Sequence, residues 1–156
     1  MHRAGAALAG LLRAGDLVVL SGDLGAGKTT LTQGIGEGLG VRGGVTSPTF
    51  VIARVHPSTV GGPALVHVDA YRLGSTVEID DLDLDASLEE SVTVVEWGEG
   101  KVDDLSADRL VVHIERPHGA AADASDTDEP RELGAVGVGA RWDGIDVLAV
   151  VAAEVG

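Results

Sequence analysis

The octapeptide Gly22-Asp23-Leu24-Gly25-Ala26-Gly27-Lys28-Thr29 narrows what this chain can fold into more than any other segment. It fills every fixed position of the pattern G-x-x-x-x-G-K-[ST]. Before it runs Leu17-Val18-Val19-Leu20-Ser21, an apolar stretch of strand length, and after it Thr30 to Leu39 reads as helix. Strand, glycine-rich loop and helix in that order form the context a phosphate-binding loop requires. Glycines let the loop curl so that backbone N–H groups point at phosphate oxygens. Asp23 to Thr30 therefore read as the nucleotide-binding segment. In this pattern Lys28 reaches the β- and γ-phosphates, and the Thr29 hydroxyl holds Mg²⁺. The bare alternative is a glycine-rich turn that binds nothing.

A phosphate loop implies an α/β sheet, and the remaining segments supply one. Residues 3–13 read as a short helix rich in Ala and Leu, 16–21 as the first strand and 30–39 as a helix. Gly34, Gly36 and Gly38 weaken that second helix by about 0.8–1 kcal/mol each relative to Ala. Further strands are expected at 49–55, 64–69, 92–97, 109–115 and 133–142. Asp143-Gly144 then reads as a hairpin turn, with 145–151 pairing back as the last strand. Early strands alternate with helical stretches and later ones follow one another. The expectation is one phosphate-loop domain over 1–156, its mixed sheet parallel at the centre and antiparallel at the C-terminal edge. Residues 117–130, rich in Ala, Asp and Ser, read as an acidic surface loop.

Composition removes several function classes. With 11 basic residues against 25 acidic ones, the net charge of −14 opposes direct binding to nucleic acid or to anionic membranes. There is no Cys, which removes disulfides, thiol catalysis and Cys-ligated metal sites and is compatible with a reducing cytoplasm. There is no Asn, so the Asn-Lys-x-Asp guanine reader of GTPases is absent in its standard form. The segment from His2 to Leu12 loosely mimics a secretory signal, but Arg13 interrupts it and an N-terminal helix is the better reading.

Hydrolysis needs more than a phosphate loop. It needs a carboxylate near the metal and a group that orients the attacking water. In open α/β sheets ligands lie beyond the C-terminal ends of strands, where Asp69 and Glu96 both stand. Asp69 closes Leu65-Val66-His67-Val68, and its alternative is a turn or capping residue. Glu96 closes Val92-Thr93-Val94-Val95, and its alternative is an exposed strand-end charge. Thr46-Ser47-Pro48-Thr49-Phe50 lies one helix after the loop, where switch NTPases supply a hydroxyl to the metal or γ-phosphate. A plain Ser-Pro turn is the competing meaning. Trp97 could lie beside the nucleotide or in the core. His67 reads as a strand residue, because no second His stands at ligand spacing. Asp80, Asp81, Asp83 and Asp85 lack the spacing of a calcium loop and read as a solvated face.

Four segments in this order, 21–30, 46–50, His67-Val68-Asp69-Ala70-Tyr71-Arg72 and Val95-Glu96-Trp97, together resemble the TsaE family of bacterial YjeE-type ATPases. The resemblance covers roughly residues 5 to 116 and more loosely the end. It implies a small cytoplasmic ATPase that supports threonylcarbamoyladenosine modification of tRNA by associating with the TsaB–TsaD complex. It also implies ATP cradled by Leu24 to Thr29, with Mg²⁺ held by Thr29 and Glu96. Asp69 then completes the metal and water network, Thr46 to Phe50 act as a switch, and Trp97 lies beside the site. The acidic 117–130 stretch departs from the family pattern as an insertion. A small-molecule kinase and a nucleotide-dependent binding module with negligible turnover are the alternatives, although the nine Arg residues form no lid-like cluster.

Overall fold

The computed structural model describes residues 2–22, 27–41, 53–69, 89–96, 108–115 and 132–150. These hold helices α1 (His2–Ala9) and α2 (Lys28–Leu39). The strands are β1 (Leu17–Gly22), β2 (Ala53–His56), β3 (Ala64–Asp69), β4 (Ser91–Glu96), β5 (Arg109–Glu115) and β6 (Glu132–Val138). All six strands join one sheet in the order β2-β3-β4-β1-β5-β6. Its centre, β3-β4-β1-β5, is parallel. At the C-terminal edge β6 runs antiparallel to β5, as expected, and at the opposite edge β2 runs antiparallel to β3, which the sequence reading did not anticipate.

Continuous apolar runs make the central strands. Side chains alternate between faces, so a strand buried on both sides needs apolar residues at nearly every position. Val18, Leu20, Leu65, Val92, Val94, Leu110, Val112 and Ile114 share a core with Leu8, Leu12, Leu31, Ile35 and Leu39 from the helical side. The alternate positions Leu17, Val19, Val66, Val68 and Val95 are buried as well. Each such side chain contributes about 1.5–3 kcal/mol by leaving water.

Helix α2 keeps Gly38 for a packing reason, and α1 keeps Gly5 for the same one. A Cβ on Gly38 would stand 2.5 Å from Ala9 Cβ, and one on Gly5 of α1 would stand 2.1 Å from Leu31 O. The two helices therefore meet backbone to backbone, and the propensity deficit of the second is offset by that contact. The helix ends at Gly40, whose φ of 74° admits the left-handed turn. Its N–H and that of Val41 reach back to Glu37 O and Gly36 O, closing a Schellman motif. Helix α1 stops earlier than expected: after Ala9 the bonds shorten to i−3 spacing through Leu12.

The C-terminal reading needs correction. The stretch expected as one strand, 133–142, breaks at Gly139, and Ala140–Trp142 form a 3₁₀ turn. A Cβ on Gly137 would stand 2.4 Å from Trp142 Cβ, so the turn folds tightly back over β6. Beyond it residues 147–150 are helical rather than a seventh strand. Asp146 starts this helix, accepting a bond from Ala149 N at 3.1 Å in the manner of an N-cap. Val147 turns into the core, which a helix achieves without a strand partner. The acidic residues 80–85 and the 117–130 stretch lie outside the described residues. None of the described helices is long and apolar enough to cross a membrane.

Candidate functional site

The parallel register brings three strand ends to one rim of the sheet. Leu20 of β1 pairs with Glu96 of β4, and Glu96 pairs with Asp69 of β3. From that rim the chain passes through the glycine-rich loop into α2. Gly27 stands just before the helix with φ 110°, a conformation that a side chain would strain. It provides no side-chain cap, and Lys28 opens the helix. The first-turn N–H groups and the helix dipole thus face the rim as an anion-favouring end.

Lys28 is 5% exposed, and its ammonium donates to the Gly22 carbonyl at 2.8 Å, spanning the mouth of the loop. Thr32 Oγ1 donates to Lys28 O at 2.8 Å, one turn on, and fixes the start of the helix. Thr29 Oγ1 donates to Glu96 Oε1 at 3.4 Å, across 67 residues of sequence. Thr30 is exposed on the outside of the same turn.

Glu96 is 4% exposed, which removes its alternative as a solvated strand-end charge. Its second oxygen, Oε2, is held by His67 Nε2 in a close hydrogen bond. In the tautomer that carries its proton on Nε2, the ring donates to the carboxylate, which when ionised can only accept. His67 is fully buried on β3, and its other nitrogen, Nδ1, has no hydrogen-bond partner among the described residues. Sequence reasoning placed His67 in the strand but missed this pairing. The period of two sets His67 on the same face as Leu65, but its place beside Glu96 follows only from the β3–β4 register.

Two hard oxygen donors, Thr29 Oγ1 and Glu96 Oε1, therefore converge at the beginning of α2. Among the described residues no group of three His, Asp or Glu side chains could hold a metal unaided. Such a pair suits Mg²⁺, which is usually bound by one or two protein oxygens together with phosphate and water. Asp69 is placed by its backbone at the same rim, one strand from Glu96. Asp23, Leu24, Gly25, Ala26, Thr46, Ser47, Thr49 and Trp97 lie outside the described residues.

A central strand leading through G-x-x-x-x-G-K-T into a helix, at the rim of a parallel-centred sheet, defines the class: phosphate-loop nucleotide-binding proteins. Comparison with known families is specific within that class. The family model described as "Threonylcarbamoyl adenosine biosynthesis protein TsaE" matches residues 1–123. This chain belongs to the TsaE family. The protein of that name from Streptomyces coelicolor is 64% identical over 148 residues, covering 94% of this chain and 97% of the relative. The Bacillus subtilis protein of the same name is 38% identical over 136 residues, covering 86% and 78%. Among solved structures, the crystal structure of Bacillus subtilis YdiB superposes with a TM-score of 0.67 at 29% identity, over 97% of this chain and 87% of that one.

Proposed function

We propose that this chain is one cytoplasmic phosphate-loop domain that binds and slowly hydrolyses ATP with Mg²⁺. In doing so it supports threonylcarbamoyladenosine modification of tRNA through the TsaB–TsaD complex. The observation that carries this reading is the convergence of Thr29 and Glu96 beside the buried Lys28. A strand-end acid 67 residues away has been brought to the hydroxyl that a phosphate loop reserves for its cation. Family membership and the TsaE names of the relatives support the tRNA-modification role.

Lys28 would leave Gly22 O for the β- and γ-phosphates, and the N–H groups of residues 24–29 would cradle the same oxygens. Thr29 Oγ1 and Glu96 Oε1 would hold Mg²⁺. When bound there, the ion would supply charge neutralisation to the phosphates. Asp69, at the neighbouring strand end, would complete the metal and water network. Thr46 to Phe50 would respond to the γ-phosphate as a switch, and Trp97 would pack beside the nucleotide. The net charge of −14 supports a protein partner rather than direct contact with tRNA.

The test is reconstitution over many cycles, with tRNA modification and phosphate release followed with and without this chain and ATP. We expect Lys28→Ala to abolish ATP binding by calorimetry and to stop multiple turnover. ATP affinity unchanged in that variant would overturn the site. Sustained modification without phosphate release would instead favour a nucleotide-dependent binding module.

A further inference from the structure

We infer that His67 is a positioning residue that fixes the rotation of Glu96 and so sets the affinity of the Thr29–Glu96 pair for a divalent cation. This rests on the reading of that pair as the cation site.

Three observations carry it. His67 is fully buried in a strand whose other inner positions are Leu and Val. A ring there with an unpartnered Nδ1 is unfavourable for packing alone, because a buried polar atom without a partner loses its hydration for nothing. Among the described residues the ring's one polar contact is its Nε2 bond to Glu96 Oε2. Finally, the two oxygens of Glu96 are divided: Oε2 takes the imidazole and Oε1 faces Thr29 Oγ1 at 3.4 Å. The terminal torsion of a glutamate is broad, so an untethered carboxylate samples many rotations. Pinning one oxygen leaves the other aimed at the start of α2. Partners that orient a metal-binding carboxylate act in this way, and their loss weakens metal affinity without touching the metal.

The experiment titrates Mn²⁺ into the full chain saturated with ADP, followed by electron paramagnetic resonance, beside ADP affinity measured in EDTA. His67→Leu removes the donor at similar volume. His67→Asn keeps a polar side chain too short to reach Glu96, and it gives the same comparison should His67→Leu fail to fold. His67→Gln places an amide N–H near the position of Nε2. We expect Mn²⁺ affinity to fall about 10–100-fold in His67→Leu and His67→Asn and to return to within roughly threefold of the parent in His67→Gln. ADP affinity in EDTA should stay within about threefold throughout, since phosphate cradling does not involve His67. Mn²⁺ affinity at the parent level in His67→Leu or His67→Asn overturns the inference, as does a His67→Gln protein no better than either. A parent chain with no ADP-dependent Mn²⁺ site is a different result: it overturns the cation site itself, and the role of His67 with it.

Discussion

The sheet carries a buried acid near each end of its parallel strands, and the two are treated in opposite ways. Asp16, just ahead of β1, meets Arg141 through Nε and Nη2, each at 3.0 Å, and also accepts from Arg13 N at 2.8 Å. The same guanidinium donates to Leu11 O at 2.7 Å and lies 4.3 Å from the centre of the Trp142 ring. This is a closed arrangement in which a full positive charge answers a full negative one and little is left to bind anything else. Glu96, at the far end of β4, is equally buried, yet its partners are one imidazole and one hydroxyl. An acid satisfied by a guanidinium holds a fold together. An acid at a strand end that meets no guanidinium or ammonium among the described residues is where we propose that a charge from outside would bind. The contrast is a physical ground, independent of any relative, for our proposal that Glu96 serves the site while Asp16 serves the fold.

Breaking the closed end should have the largest effect. Arg141→Met strands a buried carboxylate and is expected to destabilise the chain by about 3–5 kcal/mol in urea unfolding. ADP affinity of the folded fraction should be unchanged, and a coupled loss of affinity would blur the distinction between the two ends. The next largest effect is expected where α2 is seated. Gly5→Ala forces a methyl group against the backbone of α2, for a loss of about 1–3 kcal/mol. Because α2 begins with Lys28 and Thr29, nucleotide binding should weaken alongside, and unaltered binding by calorimetry would show that the site tolerates a displaced helix. The smallest effect on stability, opposite in sign, is expected at the open end. Glu96→Gln keeps the shape and the His67 contact while removing a buried charge, so it should gain about 0.5–1 kcal/mol without nucleotide or metal. The same variant should lose Mg²⁺-dependent hydrolysis. A stability loss comparable to that of Arg141→Met would place Glu96 among the structural acids.

Much of the centre was legible because period and punctuation agree there. Strands β3 and β5 have the ends read from sequence, each an apolar run bounded by turn residues. The phosphate loop predicted β1 and α2 to within two residues. Other features were hidden because they depend on partners distant in sequence. Gly38 of α2 looked like a defect until α1 lay against it. The β-branched run at 145–151 looked like a strand, but the Asp146 cap and the available core surface favoured helix. Edge strand β2 was expected, yet its antiparallel direction has no local signature. His67 was visible as a residue and invisible as a contact, since only the β3–β4 register carries it to Glu96.

The strand order has a consequence for how the molecule comes into being. Central β1 ends at residue 22, but neither hydrogen-bonded neighbour exists until β4 and then β5 have been synthesised, through residues 96 and 115. On the ribosome that strand must wait, apolar and unpaired, while most of the polypeptide emerges. Such delayed long-range pairing puts assembly at the slow end for a chain of this size and leaves the nascent strand prone to aggregate.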